Sequence, residues 1–156
     1  MHILHLGFLN CVGGHNLVTR ILSVYLRKKH KLTEIDLCKG SLHNGSLSLK
    51  RIKEIFLLLI KINSKCSDVD RIYFTISESF GGNLKDILIY IVLFKNLKNT
   101  TIHLHGGSIG EKIFKKYPLM KFINKFFLKE INNILVSGKS HTEIFNFVNK
   151  NKVKIV

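Results

Sequence analysis

Short apolar runs alternate along the chain with longer segments of helical periodicity. The runs are "HILHLG" (2–7), "KLTEIDL" (31–37), "RIYFTIS" (71–77), "TTIHLH" (100–105), "NNILVS" (132–137) and "VKIV" (153–156). Each has the length of a β-strand. Between them, residues 15–29 set Leu17, Ile21, Val24 and Tyr25 on one helix face, and residues 49–62 do the same for Ile52, Ile55, Phe56, Leu59 and Ile62. Residues 83–97 are apolar nearly all round, as suits a helix deep in a layered domain. A helix over residues 118–130 is expected to begin on Pro118, whose missing N–H costs nothing in a first turn. Ser140 is placed to cap the last helix, with Glu143 three residues on completing a capping box.

Strict alternation of strand and helix, joined by right-handed crossovers, gives a parallel sheet with helices on both faces. The expected fold is therefore α/β: a three-layer, Rossmann-like domain with a mainly parallel sheet of about six strands. A length of 156 residues fits one domain with a single sizeable core. In such sheets ligands bind beyond the carboxyl ends of the strands, so the loops that follow the strands are where chemistry is sought.

The first of these loops, "GFLNCVGGHN", carries Gly7, Gly13 and Gly14 into a helix. Glycines there let a phosphate approach the backbone, and the helix start offers free N–H groups; glycine also ends strands for purely conformational reasons. Asp36 supplies the acid that a dinucleotide-binding unit has after its second strand, but the glycine spacing is wrong for one. A P-loop is excluded, because no Gly-Lys-Ser/Thr follows the glycines and "SGKS" (137–140) has Ile134 where its first glycine is required. In the third loop, "SESFGGN", Ser77, Glu78 and Ser79 offer hydrogen bonds to a polyhydroxylated ligand. The simpler reading, which is preferred, is a helix entry capped by Asn83.

The fourth loop, "HLHGG", ends a strand in which His103 and His105 share a face. His103 lies inside the strand and reads as structural. His105 stands at the carboxyl end against Gly106 and Gly107, where its ring reaches into the cleft and a ligand can come close. A metal site would need a third ligand from His2, His5, His15 or Asp36; no spacing demands one, and no metal is expected.

Charge adds a partner class. The chain carries 25 Lys and Arg against 10 Asp and Glu, a net charge of +15. Arginine occurs only at Arg20, Arg27, Arg51 and Arg71, and the Lys/Ile/Asn bias matches an AT-rich genome. Nucleic-acid readers favour the arginine fork, so nucleic acid is disfavoured as a partner, and an anionic membrane surface weighs more. Residues 112–130 hold six lysines against Glu130 alone. There Lys121, Lys125 and Lys129 share one helix face, and Leu119, Phe122, Ile123, Phe126 and Phe127 the other. The aromatic stripe is expected to pack on the sheet, leaving Lys115, Lys116, Lys121 and Lys125 free to touch lipid head groups. No apolar run approaches the roughly 18–20 residues of a membrane span. The first residues lack the pattern of a signal peptide, which implies a cytoplasmic address, with peripheral contact at the inner face of the membrane. Cys11, Cys38 and Cys66 are odd in number and widely spaced, which argues against a disulfide framework or a zinc ribbon and agrees with a reducing compartment.

With these residues placed, the chain resembles the N-terminal, acceptor-side domain of GT-B fold glycosyltransferases, in particular the large retaining group classed as family four. "VGGHNLVTRILSVYLRKKHKLTEIDL" looks like that group's Gly-Gly loop, first helix and second strand, although Lys29, His30, Lys31 and Leu32 stand where the family has a Gly-His-x-Val-like turn. "IHLHGG" looks like its strand four ending in His-Gly, "INNILVSGKSHTEIF" like the strand ending in Val-Ser before a polar helix start, and "NKVKIV" like the segment that leads to the second domain. The resemblance covers essentially the whole chain through short motifs in the family's order.

It implies one Rossmann-like half of a two-domain enzyme that moves a sugar from a nucleotide-sugar to a glycan or lipid-linked acceptor, as in cell-surface polysaccharide synthesis, without a metal or other cofactor. By motif position, Gly13, Gly14 and His15 would lie beside the donor diphosphate and acceptor, Ser77, Glu78, Gly106 and Gly107 would border the substrate, and His105 would orient the transferred sugar as the catalytic residue. The absence of an obvious carboxylate pair agrees with front-face attack assisted by the leaving phosphate. The family's Glu-x7-Glu donor signature has no counterpart here: Glu34, Glu54, Glu78, Glu111, Glu130 and Glu143 include no pair eight apart. The donor-binding domain is thus expected to be absent and the chain alone inactive. It reads as a piece of a longer enzyme, or else as one partner of a two-chain enzyme. The alternative is a non-enzymatic module on the same fold that binds nucleic acid or anionic surfaces.

Overall fold

A computed structural model describes residues 1–10, 14–38 and 48–156, with the backbone alone at residues 14 and 15. Strands β1 (His2–Gly7), β2 (Lys31–Asp36), β3 (Arg71–Thr75), β4 (Thr100–Leu104), β5 (Asn133–Val136) and β6 (Val153–Ile155) alternate with helices α1 (Gly14–Lys29), α2 (Leu49–Cys66), α3 (Phe80–Val92), α4 (Pro118–Leu128) and α5 (Lys139–Thr142). The strands form one all-parallel sheet in the order β2-β1-β3-β4-β5-β6, the expected α/β architecture. Gly13 lies outside the described residues, and of His15 only its place in the first turn of α1 is described.

The chain forms two compact units, Met1–Tyr73 and Phe74–Val156, with β3 shared at their boundary. In the first, β1 and β2 run in register from His2↔Lys31 to Gly7↔Asp36. The chain steps from β1 out to β2 and then back across β1 to β3, so right-handed crossovers place α1 and α2 on opposite faces. Leu4, Leu6, Ile35, Leu37, Leu58, Ile62 and Ile72 fill this core. Ser48 caps α2, its hydroxyl accepting from Arg51 N at 3.2 Å. In the second unit Phe74, Tyr90, Ile102, Leu104, Ile134, Val136 and Phe145 are buried, with the Tyr90 ring edge-on to Phe74 at 5.7 Å. Pro118 opens α4 as expected.

The faces of the helices differ from their apolar periodicity. On α1 the stripe points outward, with Leu17 64% and Ile21 62% exposed, while Thr19 and Ser23 are buried. The cause is a polar contact: the Ser23 hydroxyl donates to Thr19 O at 2.9 Å and sits 3.0 Å from His5 Nδ1 on β1. On α2, Ile62 is buried with Leu58 and Cys66, but Ile52 and Phe56 are exposed. On α4 the expected stripe of Leu119, Phe122, Ile123, Phe126 and Phe127 packs inward only in part. Met120, Asn124, Phe127 and Leu128 turn inward, and Leu119, Phe122 and Phe126 outward. Buried Asn83 and Asn124 donate to each other's side chains at 3.2 and 2.9 Å, and Asn124 donates to Met120 O at 2.8 Å. Two amides that satisfy one another can be buried, and doing so fixes the roll of both helices. Nor is the third helix buried all round: Leu84 and Ile91 are exposed, and the helix yields after Val92 to a 3₁₀ turn over Phe94–Asn99.

Two expected caps are replaced. Ser79 caps α3, accepting from Gly82 N at 3.1 Å, and Asn83 is instead interior. No Ser140–Glu143 box forms, because α5 is a single turn begun at Gly138 without a side-chain cap. Cys38 is disulfide-bonded, against the expectation of reduced thiols, and Cys66 is a buried thiol that donates to Asn63 O at 3.3 Å. Among the described residues no helix is long and apolar enough to cross a membrane.

Candidate functional site

The second unit gathers three loops at one edge. Because β4 and β5 pair in parallel from Thr101↔Asn133 to Leu104↔Val136, and Ile76 N bonds His103 O at 3.1 Å, the segments after β3, β4 and β5 emerge side by side. His105 leaves β4 half-buried, its ring centroid 4.0 Å from that of buried His103 and tilted by 47°. The two rings do share a face, as alternation requires. Ser137 ties the loops together by donating to His105 O at 3.0 Å.

Glu78 braces the next turn. Its Oε2 accepts from Ser108 N at 2.7 Å and from Ser108 Oγ at 2.6 Å. A Cβ at Gly106 would stand 2.2 Å from Glu78 Oε1, and one at Gly107 would stand 2.6 Å from His141 Nε2. The Gly-Gly pair is therefore a close-approach site, flanked by a carboxylate and an imidazole. Ser77 is held in turn from α3: its N–H donates to Asp86 Oδ2 at 2.6 Å and its hydroxyl to Oδ1 at 3.3 Å, while Lys85 Nζ pairs with Oδ1 at 2.9 Å. Ser77 and Glu78 thus shape the rim by holding backbone, rather than presenting free groups to a ligand. The sequence offered no pointer to Asp86. His141 and Ser108 were legible only as polar residues shortly after a strand end.

Gly106→Ala is expected to push Glu78 off Ser108 and cost about 1–3 kcal/mol, the loss of a partner for partly buried polar groups. In urea melts the effect should be non-additive with Glu78→Ala, because the second change removes what the first displaces. Simple addition of the two losses would show that the glycine and the carboxylate act independently.

The first unit holds a separate open groove of about 600 Å³ beside α1, lined among others by Asn10, Arg20, Ser23, Arg27, Lys28 and Glu34. Arg27 pairs with Glu34. Asp36, the acid after the second strand, accepts from Leu9 N at 3.0 Å, Asn10 Nδ2 at 2.6 Å and Cys38 N at 2.9 Å, so it closes its own loop. Gly14 opens α1. Among the described residues no three His, Cys, Asp or Glu side chains converge to hold a metal ion.

Burial pushes the His5 imidazole below its ordinary pKa, against a smaller upward pull from Glu34. The unfolded ring takes up its proton near pH 6.5 and the folded ring only at lower pH, so between those values the unfolded chain binds more protons. This contribution to stability is complete above about pH 6.5 and is lost as the pH falls below it. His5→Gln should flatten that part of the pH profile of thermal melting. Equal slopes in the two proteins would assign the acid sensitivity elsewhere.

The four candidate lysines differ in their surroundings. Lys115 pairs with Glu111 one turn away, Lys116 lies over the Tyr117 ring at 5.6 Å, Lys121 lies over Phe147 at 5.7 Å, and Lys125 is half-buried. No protein-family model matches the chain, and no curated protein matches it in sequence.

Proposed function

We propose that the chain is the acceptor-binding half of a retaining, family-four-like GT-B glycosyltransferase that moves a sugar from a nucleotide-sugar to a glycan or lipid-linked acceptor. The observation that carries the reading is His105, half-exposed at the carboxyl end of a central parallel strand and beside a Gly-Gly turn against which Glu78 and His141 pack closely. In this reading His105 orients the transferred sugar, and Gly106 and Gly107 let the sugar ring come close to the backbone. Ser77 and Glu78 act by holding that rim in place. The donor nucleotide is gripped mainly by the enzyme's other half, so this chain alone binds acceptor without turning it over. The protein works against an anionic membrane face, where exposed lysines meet the head groups.

The purified chain, screened by thermal shift, should be stabilised by glycan or lipid-linked oligosaccharide acceptors and not by dinucleotides, since a ligand that binds only the native state raises the melting point. Sugar incorporation should appear when the donor-binding half is supplied. A shift of labelled RNA or DNA that survives physiological salt, with no response to glycans, would replace this reading by the nucleic-acid module.

A further inference from the structure

Helices α3 and α4 present an apolar ridge that nothing in the second unit covers. Ile91 in the last turn of α3 and Phe94 at the start of the 3₁₀ turn that follows are 55% and 54% exposed. Leu119, Phe122 and Phe126 form a stripe along α4, 69%, 70% and 56% exposed. The two parts join where the Phe94 and Phe126 rings stack, 6.4 Å apart and 9° from parallel. Exposed apolar surface of this continuity marks a contact site, because isolated apolar residues are normal on a surface and clustered ones are not.

The charge around the ridge selects its occupant. Lys125 and Lys129 run along the flank of the α4 stripe, and Lys95 and Lys98 lie in the turn that carries Phe94. The acids that flank α4 in sequence are Glu111, already paired with Lys115, and Glu130, while Asp86 on α3 is buried and paired with Lys85. Aromatic and aliphatic side chains bordered by lysines suit the boundary between acyl chains and anionic head groups, where the rings enter hydrocarbon and the ammonium groups stay at the surface. The geometry points to this ridge as a membrane-insertion surface: Phe94, Leu119, Phe122 and Phe126 enter the outer acyl layer of an anionic bilayer, with α3 and α4 lying along its plane. This deepens the head-group contact proposed for the lysines, and it makes the anchor apolar as well as electrostatic.

The chain has no tryptophan, so Phe122→Trp gives a sole indole reporter. With vesicles of phosphatidylglycerol and phosphatidylcholine, its emission should shift to the blue and be quenched by brominated acyl chains. In sedimentation with the same vesicles, Phe122→Glu/Phe126→Glu should weaken binding at least about tenfold per ring, and this loss should persist in high salt. Lys125→Glu/Lys129→Glu should weaken binding chiefly at low salt, where charge is poorly screened. No binding to these vesicles, or binding with an unshifted, unquenched indole, would overturn the insertion. So would a protein dimer that Phe122→Glu dissociates, since the ridge would then be an interface between copies. Insertion without any acceptor binding or sugar transfer would leave this surface assigned and remove only the transferase reading.

Discussion

Replacing Asp86 with alanine should destabilise the protein by about 3–5 kcal/mol, the cost of breaking a buried ion pair by removing one partner. Asp86 is fully buried and Lys85 is 3% exposed, so the ammonium left behind has little water to turn to. The same change strips the acceptor from the Ser77 N–H, which now bonds Asp86 Oδ2 at 2.6 Å. Against a typical stability of about 5–15 kcal/mol, such a loss removes a substantial share of the margin. Urea unfolding followed by circular dichroism measures it directly. Asp86→Asn keeps an acceptor for Ser77 and should fall between the two. Faster hydrogen exchange at the Ser77 amide in both variants would tie the defect to the rim, whereas a loss below about 1 kcal/mol in the alanine variant would mean that Lys85 finds water or another partner.

His105→Ala should have the opposite profile. With the donor-binding half present, sugar transfer should fall by about a hundredfold or more, the scale seen when a group aimed at the reacting centre is removed. Stability should change by about 1 kcal/mol or less, because the ring is half-exposed and rests on one side against His103. The neighbouring His103→Ala should show mainly a stability loss, since that ring is buried inside the strand. Transfer unchanged in His105→Ala, or lost equally in both variants, would remove the catalytic role given to position 105.

Element order was legible in the sequence because strand and helix impose different periods on apolar residues, and each of the six runs became a strand. Apart from β1, which spans its whole run, the strands came out shorter than their apolar runs. Ser77 and His105 belong to the rim, where Asp86 and the Gly-Gly turn divert the backbone. The place of His105 was readable for the same reason as the strand itself: a parallel sheet sends every carboxyl end to one edge. What holds the rim was not readable. The pairs Glu78 with Ser108, Asp86 with Ser77 and Asn83 with Asn124 join residues that stand 30, 9 and 41 positions apart.

The sequence by itself determined the alternation of strands and helices, the carboxyl-edge position of His105 and its glycines, and the excess of positive charge. Tertiary structure decided which side of each helix turns inward. Periodicity shows that Leu17 and Ile21, or Phe122 and Phe126, share a face; it cannot show that His5 will draw Ser23 inward beneath α1, or that Asn83 and Asn124 will pair beneath α4. A buried polar group is stable only when its partner arrives from elsewhere in the chain, and that meeting exists only once the sheet has brought the elements together.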